Sequence, residues 1–115
     1  GSSVAVSGDL RVDGRVGCVW RSGGKLGGYC LYGGGGLVAG ELSLVESSIP
    51  LSLEADFAGN TITLDSSAET RLRVYWPVDV ASISENGKAV PFQQSDGLIF
   101  LELTAGKHFL QLNLR

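Results

Sequence analysis

The stretch from residue 83 to residue 115, ISENGKAVPFQQSDGLIFLELTAGKHFLQLNLR, decides the fold class of this chain. Apolar and polar residues alternate along it, and three turn dipeptides interrupt it: Asn86-Gly87, Asp96-Gly97 and Ala105-Gly106. Alternation with a period of two is typical of strands that bury one face. Asn-Gly and Asp-Gly favour type I′ hairpin turns, in which both central residues need positive φ. The stretch therefore predicts four short strands joined by tight turns.

The same period-2 pattern extends upstream through most of the chain. It begins at Val4 and Val6, and it is clearest in IPLSLEADF (49–57) and ETRLRVYWP (69–77), where alternate residues are apolar. No stretch of about 11 or more residues shows the periodicity of a helix. About nine to eleven short strands in one domain must form two packed sheets or a barrel. We expect an all-β antiparallel sandwich, because one flat sheet would leave an apolar face in water.

Glycine is the outlier in the composition, with 17 of the 115 residues. Many of these glycines lie between Gly14 and Gly40, where they favour strands joined by tight turns. Four of them are consecutive, at residues 33–36, and we expect a loop or a bulge there. No Gly-Lys-Ser/Thr sequence and no helical pattern follows these four glycines, which argues against a phosphate-binding loop.

The two cysteines define a predicted hairpin. With its centre near Gly24, residues 15–21 and 26–32 pair in antiparallel fashion, and Cys18 lies opposite Cys30. The same register gives two further cross-strand pairs: Trp20 with Gly28 and Val16 with Tyr32. Directly opposed cysteines are close enough for two packed thiols or for a disulfide, and both alternatives remain open. A disulfide would imply an oxidising compartment.

Charge and composition exclude several classes of function. The net charge is −3 and the nine basic residues are scattered, whereas nucleic-acid binding needs a basic patch. No apolar run is long enough for a membrane span, and no signal-peptide pattern is present. The chain contains no Met and begins Gly1-Ser2. We therefore expect a single domain, residues 1–115, excised from a larger extracellular or periplasmic protein.

The sequence offers no convincing catalytic or metal site. His108 is the only histidine, and no Gly-x-Ser-x-Gly elbow accompanies it. Glu54 and Asp56 lie two residues apart on a predicted outward strand face, as ordinary solvated carboxylates do. Two cysteines and one histidine cannot supply four zinc ligands. Six oxygen-bearing residues match no known calcium loop: Asp9, Asp13, Asp56, Asn60, Asp65 and Asp79. We expect no catalytic residue, metal or cofactor in this chain.

The aromatic residues suggest a binding surface. Tyr75 shares the polar face of its predicted strand with Arg71 and Arg73. Aromatic rings stack on sugar rings, and Arg pairs well with carboxylate or sulfate groups, so this face suits an acidic polysaccharide. The alternative is an ordinary strand face, solvated or covered by a neighbouring domain. Trp20 and Trp76 are expected to anchor the core.

A resemblance adds to this interpretation. ASISENGKAV (81–90) followed by GLIFLELTAGKHFLQLNL (97–114) resembles the terminal β-sandwich modules of polysaccharide-active enzymes. The upstream segment 34–76 is similar to the β-domains that follow the helical catalytic domain of heparinase-like polysaccharide lyases, and to those of some glycoside hydrolases. The resemblance extends over residues 36–114, and the first 35 residues have no counterpart in it.

The resemblance implies a non-catalytic accessory module that packs against the catalytic domain of its parent protein. Such modules bind glycan only in some cases, so no catalytic residue is carried over. Two alternatives remain: an independent module that binds an acidic polysaccharide, and a structural or adhesive repeat of a cell-surface protein.

Overall fold

The computed structural model describes residues 10–115, and this part of the chain is all β, with eleven strands and no helix. The strands are β1 (Leu10–Asp13), β2 (Val16–Ser22), β3 (Lys25–Ala39), β4 (Leu42–Asp56), β5 (Thr61–Ser66), β6 (Thr70–Tyr75), β7 (Val80–Glu85), β8 (Lys88–Ala89), β9 (Gln93–Ser95), β10 (Leu98–Leu103) and β11 (Gly106–Leu114). The predicted fold class, an antiparallel β-sandwich, is confirmed. The strand expected at Val4 and Val6 lies outside the described residues.

The sandwich is one hydrogen-bonded sheet folded over on itself. The long strands β3 and β4 each contribute to both layers, because each changes its partners halfway along its length. Layer A contains β2, residues 25–32 of β3, residues 51–56 of β4, and then β5, β11, β7 and β8. Layer B contains β1, the rest of β3, residues 42–47 of β4, and then β6, β10 and β9.

The four consecutive glycines lie where β3 passes from one layer to the other. They form no loop, because β3 continues through them as a strand with register shifts on either side of Gly34. The backbone at Gly14 crosses close to Gly34, and the bend is possible because neither residue has a side chain. A Cβ on Gly34 would lie 2.6 Å from Gly14 Cα and would overlap the carbonyl oxygen of Asp13. The prediction of a bulge is thus right, and that of a loop is wrong.

The hairpins follow the dipeptides read from the sequence. Asn86-Gly87 and Asp96-Gly97 both have positive φ at their two residues, as the type I′ turn requires. The alternating pattern alone does not separate β3 from β4, which turn at Gly40-Glu41. Because this turn has only two residues, apolar and polar residues continue to alternate through it. The alternation therefore does not show where β3 ends and β4 begins.

The core lies between the two layers and confirms most of the predicted inward faces. Trp76 is buried there, and Phe57 contacts it edge-on at 4.8 Å between ring centroids. Tyr29 is completely buried and donates its hydroxyl hydrogen bond to the Tyr75 carbonyl oxygen at 2.7 Å. Burial raises the pKa of Tyr29, and the phenol stays neutral. At the C-terminal end of β11 Leu114 is exposed, where a register shift interrupts its pairing.

Trp20 is not the core anchor that the sequence predicted. It shares the parity of Cys18, whereas Val19 points into the core, so Trp20 lies half-buried on the outer face of layer A. Its indole covers Gly28 so closely that a Cβ there would lie 2.6 Å from indole atom Cε2. The missing side chain of Gly28 therefore accommodates Trp20.

Candidate functional site

A groove with a volume of about 780 Å³ crosses the outer face of layer B. Its floor is formed by β4, β6 and β10, and one wall is the connection from β8 to β9. The groove lies on strands fixed by the core beneath them, because alternate residues of β6 and β10 are buried. The side chains on its floor are therefore held in a defined order.

Strand register sets that order. Arg73 of β6 lies opposite Glu46 of β4 on one side and opposite Phe100 of β10 on the other. Phe100 is in turn opposite Gln93 of β9. Since neighbouring strands are about 4.8 Å apart, this row of four residues spans about 14 Å. The groove thus offers a line of side chains across the sheet, long enough for an extended ligand.

The charged residues of the floor form two ion pairs. Arg73 Nη1 lies 3.4 Å from Glu46 Oε2, and Arg71 Nε lies 3.9 Å from Glu102 Oε2. The guanidinium carbon of Arg73 is 5.0 Å from the centroid of the Phe100 ring, which is a cation–π contact. All four charged side chains are more than half exposed, so the ion pairs contribute little to stability. Their donors and acceptors remain accessible to a ligand.

Hydrogen bonds hold residues in the groove and residues next to it. In the groove, Ser47 Oγ lies 2.9 Å from the buried Thr70 Oγ1, and Arg71 N donates to Ser48 Oγ at 3.1 Å. In β9, next to Gln93 of the groove, the side-chain amide of Gln94 bridges two backbone groups. It accepts from Val80 N at 2.8 Å and donates to the Val78 carbonyl oxygen at 2.9 Å. These contacts hold the wall near the β8–β9 connection in place.

The structure separates the three residues predicted to form the binding surface. Arg71 and Arg73 lie together in the groove. Tyr75 lies outside it, half-buried at the end of β6. The Tyr75 ring packs 6.3 Å from the Phe57 ring and beside Gly97. The aromatic residues that line the groove are instead Phe100, on the neighbouring strand, and Phe92, in the connection from β8 to β9.

Sequence reasoning missed the other charged and aromatic residues of the groove. The signal for two of them is present in LIFLEL (98–103), where alternation places Phe100 and Glu102 on the outward face of an otherwise apolar strand. Glu46 could not be assigned from the sequence, because its position beside Arg73 depends on the pairing of β4 with β6.

The outer face of layer A carries the two cysteines. The predicted register is confirmed: Cys18 lies opposite Cys30, Trp20 opposite Gly28 and Val16 opposite Tyr32. The cysteine Cα atoms are 5.1 Å apart and the sulfur atoms form a disulfide, which is one of the two alternatives that the sequence left open. Val16 and Tyr32 are 48% and 42% exposed, next to a depression of about 300 Å³. This face thus exposes apolar surface beside a buried disulfide.

His108 is engaged in hydrogen bonds through both ring nitrogens. Nδ1 lies 3.0 Å from both carboxylate oxygens of Glu85, and Nε2 lies 2.8 Å from the Thr104 carbonyl oxygen. Burial alone would lower the pKa of His108, but the hydrogen bonds to Glu85 and Thr104 and the charge of Glu85 together raise it above 6.5. Since both partners only accept, the contacts favour the imidazolium form, and the contact with Glu85 joins β11 to β7.

The carboxylates Glu54 and Asp56 lie on the layer A side of β4. Tyr32 contacts Glu54 through its hydroxyl group at 3.5 Å, and Asp56 Oδ1 accepts from Ala58 N at 3.1 Å in the turn after β4. Asp56 therefore stabilises a turn.

Comparison of the chain with protein-family models and with curated protein sequences finds no match. Among residues 10–115, no helix is long and apolar enough to cross a membrane.

Proposed function

We propose that this chain is a non-catalytic accessory β-sandwich module of a carbohydrate-processing protein, and that its groove holds a polysaccharide chain. The observation that carries the proposal is a row of side chains across β4, β6 and β10, in which exposed Arg and Glu residues flank the half-buried Phe100. The resemblance of residues 36–114 to the terminal modules of polysaccharide-active enzymes supports it.

The chemistry of the groove suits a sugar polymer. A sugar ring presents hydroxyl groups around its edge and C–H groups on its faces. Arg71 and Arg73 supply donors, Glu46 and Glu102 supply acceptors, and Phe100 adds apolar surface. The backbone of paired strands is already ordered before binding, which favours recognition of a repeating ligand.

The disulfide is consistent with this setting. A disulfide between Cys18 and Cys30 persists in oxidising compartments, which include the extracellular space. Proteins that act on extracellular polysaccharides work in such an environment. The same bond would be unusual for a protein of a reducing cytosol. It supports an extracellular or periplasmic location for the protein.

Retention on polysaccharide gels tests the proposal. Affinity electrophoresis through gels that contain neutral or acidic polysaccharides measures binding to each polymer separately. We expect at least one polymer to retard the protein, and Arg73→Ala to weaken that binding about tenfold, as the loss of a charge-assisted hydrogen bond of about 1.4 kcal/mol would. Arg21→Ala is the matched control, because Arg21 is exposed on β2 in the other layer. Equal retention of both variants, or retention by no polymer, would contradict the proposal.

A second candidate function is support of a catalytic domain through the outer face of layer A. The observation that favours it is the exposed pair Val16 and Tyr32, since a partner domain would bury this apolar surface. Lys107 lies beside the same depression. In the complete protein, an amine-reactive label should modify Lys107 more slowly than in the isolated module. Lys88, exposed on β8, is the control and should react equally in both. Equal labelling of Lys107 in the two proteins would rule out this docking face.

A further inference from the structure

The charges of the groove are balanced, and this balance indicates which polysaccharide it takes. Arg71 and Arg73 each have a carboxylate partner, Glu102 and Glu46. Within the described part of the chain, the groove is lined by these two cations and two anions and by no other charged side chain. Its net charge is therefore zero, although the two arginines alone suggested a cationic surface.

We infer that the groove binds an uncharged polysaccharide, an inference that rests on the function proposed above. A guanidinium group only donates hydrogen bonds and a carboxylate only accepts them, whereas a sugar hydroxyl does both. An Arg beside a Glu therefore matches two neighbouring hydroxyl groups of a sugar ring. The carboxylate or sulfate groups of an acidic polymer would instead meet Glu46 and Glu102, and like charges brought together at an interface are unfavourable.

The ion pairs leave room for such a ligand. The side chains of Arg71 and Glu102 are 80% and 74% exposed, and their closest atoms are 3.9 Å apart. Those of Arg73 and Glu46 are 52% and 56% exposed. Most of their hydrogen-bonding positions thus face solvent, and hydroxyl groups of a sugar can replace water there without separating the pairs. An acidic group that bound the same arginine donors would lie close to the carboxylates of Glu46 and Glu102, which is unfavourable.

Arg73 is also held in position before any ligand binds. Its guanidinium carbon lies over the Phe100 ring, 5.0 Å from the ring centroid, and its Nη1 contacts Glu46 Oε2 at 3.4 Å. The edges of a planar guanidinium group carry its N–H donors, so contact with an aromatic face leaves donors free. A cation fixed in this way loses less conformational entropy on binding a neutral ligand.

The test compares neutral and acidic polymers at two salt concentrations. The probes are a soluble β-glucan, a xylan and a galactomannan as neutral polymers, and polygalacturonate and chondroitin sulfate as acidic ones. Retention is measured at low salt and at about 1 M salt, where the Debye length falls to about 3 Å. We expect a neutral polymer to retard the protein equally at both concentrations. Preferential binding of an acidic polymer, lost at high salt, would overturn the inference and leave the proposed function standing.

Removing each carboxylate charge gives a second test, in which the two ligand classes predict opposite signs. Glu46→Gln and Glu102→Gln should weaken the binding of the neutral polymer several-fold, because an amide oxygen accepts more weakly than a carboxylate. If the ligand is acidic, the same substitutions should strengthen binding by removing repulsion. Glu41→Gln, in the exposed turn between β3 and β4, is the matched control and should change neither.

The outcomes separate the inference from the function on which it rests. Thermal unfolding curves that match those of the unsubstituted protein establish that the variants are folded. Neutral binding weakened by Glu46→Gln or Glu102→Gln supports both proposals. Stronger binding in these variants overturns only the inference. If no polymer of either class is retained at low salt, the proposed function itself fails, and the inference fails with it.

Discussion

Glycine shapes two regions of this molecule in different ways. In the C-terminal segment, residues 80–114, Gly87 has a φ of 79° and a Cβ added there would meet nothing within 4 Å. In the Gly-rich segment, residues 14–40, Gly34 has no positive φ, but a Cβ there would overlap the carbonyl oxygen of Asp13 and crowd Gly14. The first glycine is required by its own backbone, and the second by the backbone of another strand.

The two segments are also held together by different cross-links. The disulfide between Cys18 and Cys30 joins β2 to β3 in the Gly-rich segment. In the C-terminal segment, the His108–Glu85 pair joins β11 to β7. A covalent bond and a tight backbone crossing tolerate little change, whereas an exposed turn and an ion pair tolerate more. We therefore expect substitutions in the Gly-rich segment to have the larger effects on stability.

The largest effect is expected for Gly34→Ala. Because the atoms around the added methyl group belong to the backbone, they cannot move aside without opening the bend of β3. We expect the free energy of unfolding to fall by about 3 kcal/mol or more, at the upper end of overpacking effects. Urea unfolding followed by tryptophan fluorescence measures the change.

Gly36→Ala is the control for this substitution. The nearest atoms to a Cβ on Gly36 are the Asp13 Cβ at 3.6 Å and the Val45 carbonyl oxygen at 3.9 Å, which is ordinary contact. Its φ is not positive, so Ala should be tolerated and should change stability by less than about 1 kcal/mol. Similar losses in the two variants would show that the close crossing at Gly34 does not control the bend.

Removal of the disulfide is expected to have the next largest effect. Cys18 and Cys30 are separated by 12 residues, and closing a loop of that size contributes about 3 kcal/mol in the chain-entropy account. The double variant Cys18→Ala/Cys30→Ala should therefore unfold at a lower urea concentration by a corresponding amount. The unsubstituted protein under reducing conditions provides the control, since it should lose a similar amount. A loss below about 1 kcal/mol would show that strand pairing alone holds β2 in place.

The same contrast explains how much of the fold the sequence predicts. Asn86-Gly87 and Asp96-Gly97 are local signals, and each forms the expected turn. The register around Cys18 and Cys30 is also local, because a tight hairpin fixes it. The crossing of Gly14 and Gly34 depends on two segments that are distant in sequence, so the four consecutive glycines indicated a loop or a bulge without revealing a bend between layers.

The candidate site also contains residues that local sequence predicts and residues that only the pairing of distant strands brings together. Arg71 and Arg73 were assigned to an outward face by alternation within one strand, and they line the groove. Tyr75 continues that alternation, but the end of its strand packs against Phe57 and Gly97, contacts that alternation cannot predict. Glu46 enters the site through the pairing of β4 with β6. The balance of charge in the groove is therefore a property of the fold and not of any one segment.

In the C-terminal segment, Gly87→Ala tests the turn. The added methyl group meets no neighbour, so the only cost is that of holding Ala at positive φ. We expect a loss of about 1 kcal/mol, clearly smaller than that of Gly34→Ala. Chemical denaturation measures it, and Lys88→Ala at the next position is the control and should be nearly neutral. A loss as large as that of Gly34→Ala would remove the distinction between the two kinds of glycine.

The smallest effect is expected for the His108–Glu85 pair, and it should depend on pH. The pKa of His108 is raised above 6.5 in the folded protein, so its contribution to stability is complete below pH 6.5, as long as Glu85 is ionised. The contribution is lost as the pH rises through the folded-state pKa. Glu85→Gln keeps an acceptor but removes the charge, and we expect it to cost less than about 1 kcal/mol near pH 6 and less still near pH 9.

His108 is the only histidine, so its ring resonances in an NMR titration report this site alone. We expect a pKa above 6.5 in the unsubstituted protein and a lower one in Glu85→Gln, because Gln offers His108 no charge. Glu41→Gln, which removes a carboxylate from an exposed turn, should leave the titration unchanged. A His108 pKa at or below 6.5 in the unsubstituted protein would show that the ion pair does not stabilise the imidazolium form. The same pKa in Glu85→Gln and Glu41→Gln would show it too. β7 and β11 would then be joined by backbone pairing alone. The C-terminal segment would contain no ionic cross-link to compare with the disulfide of the Gly-rich segment.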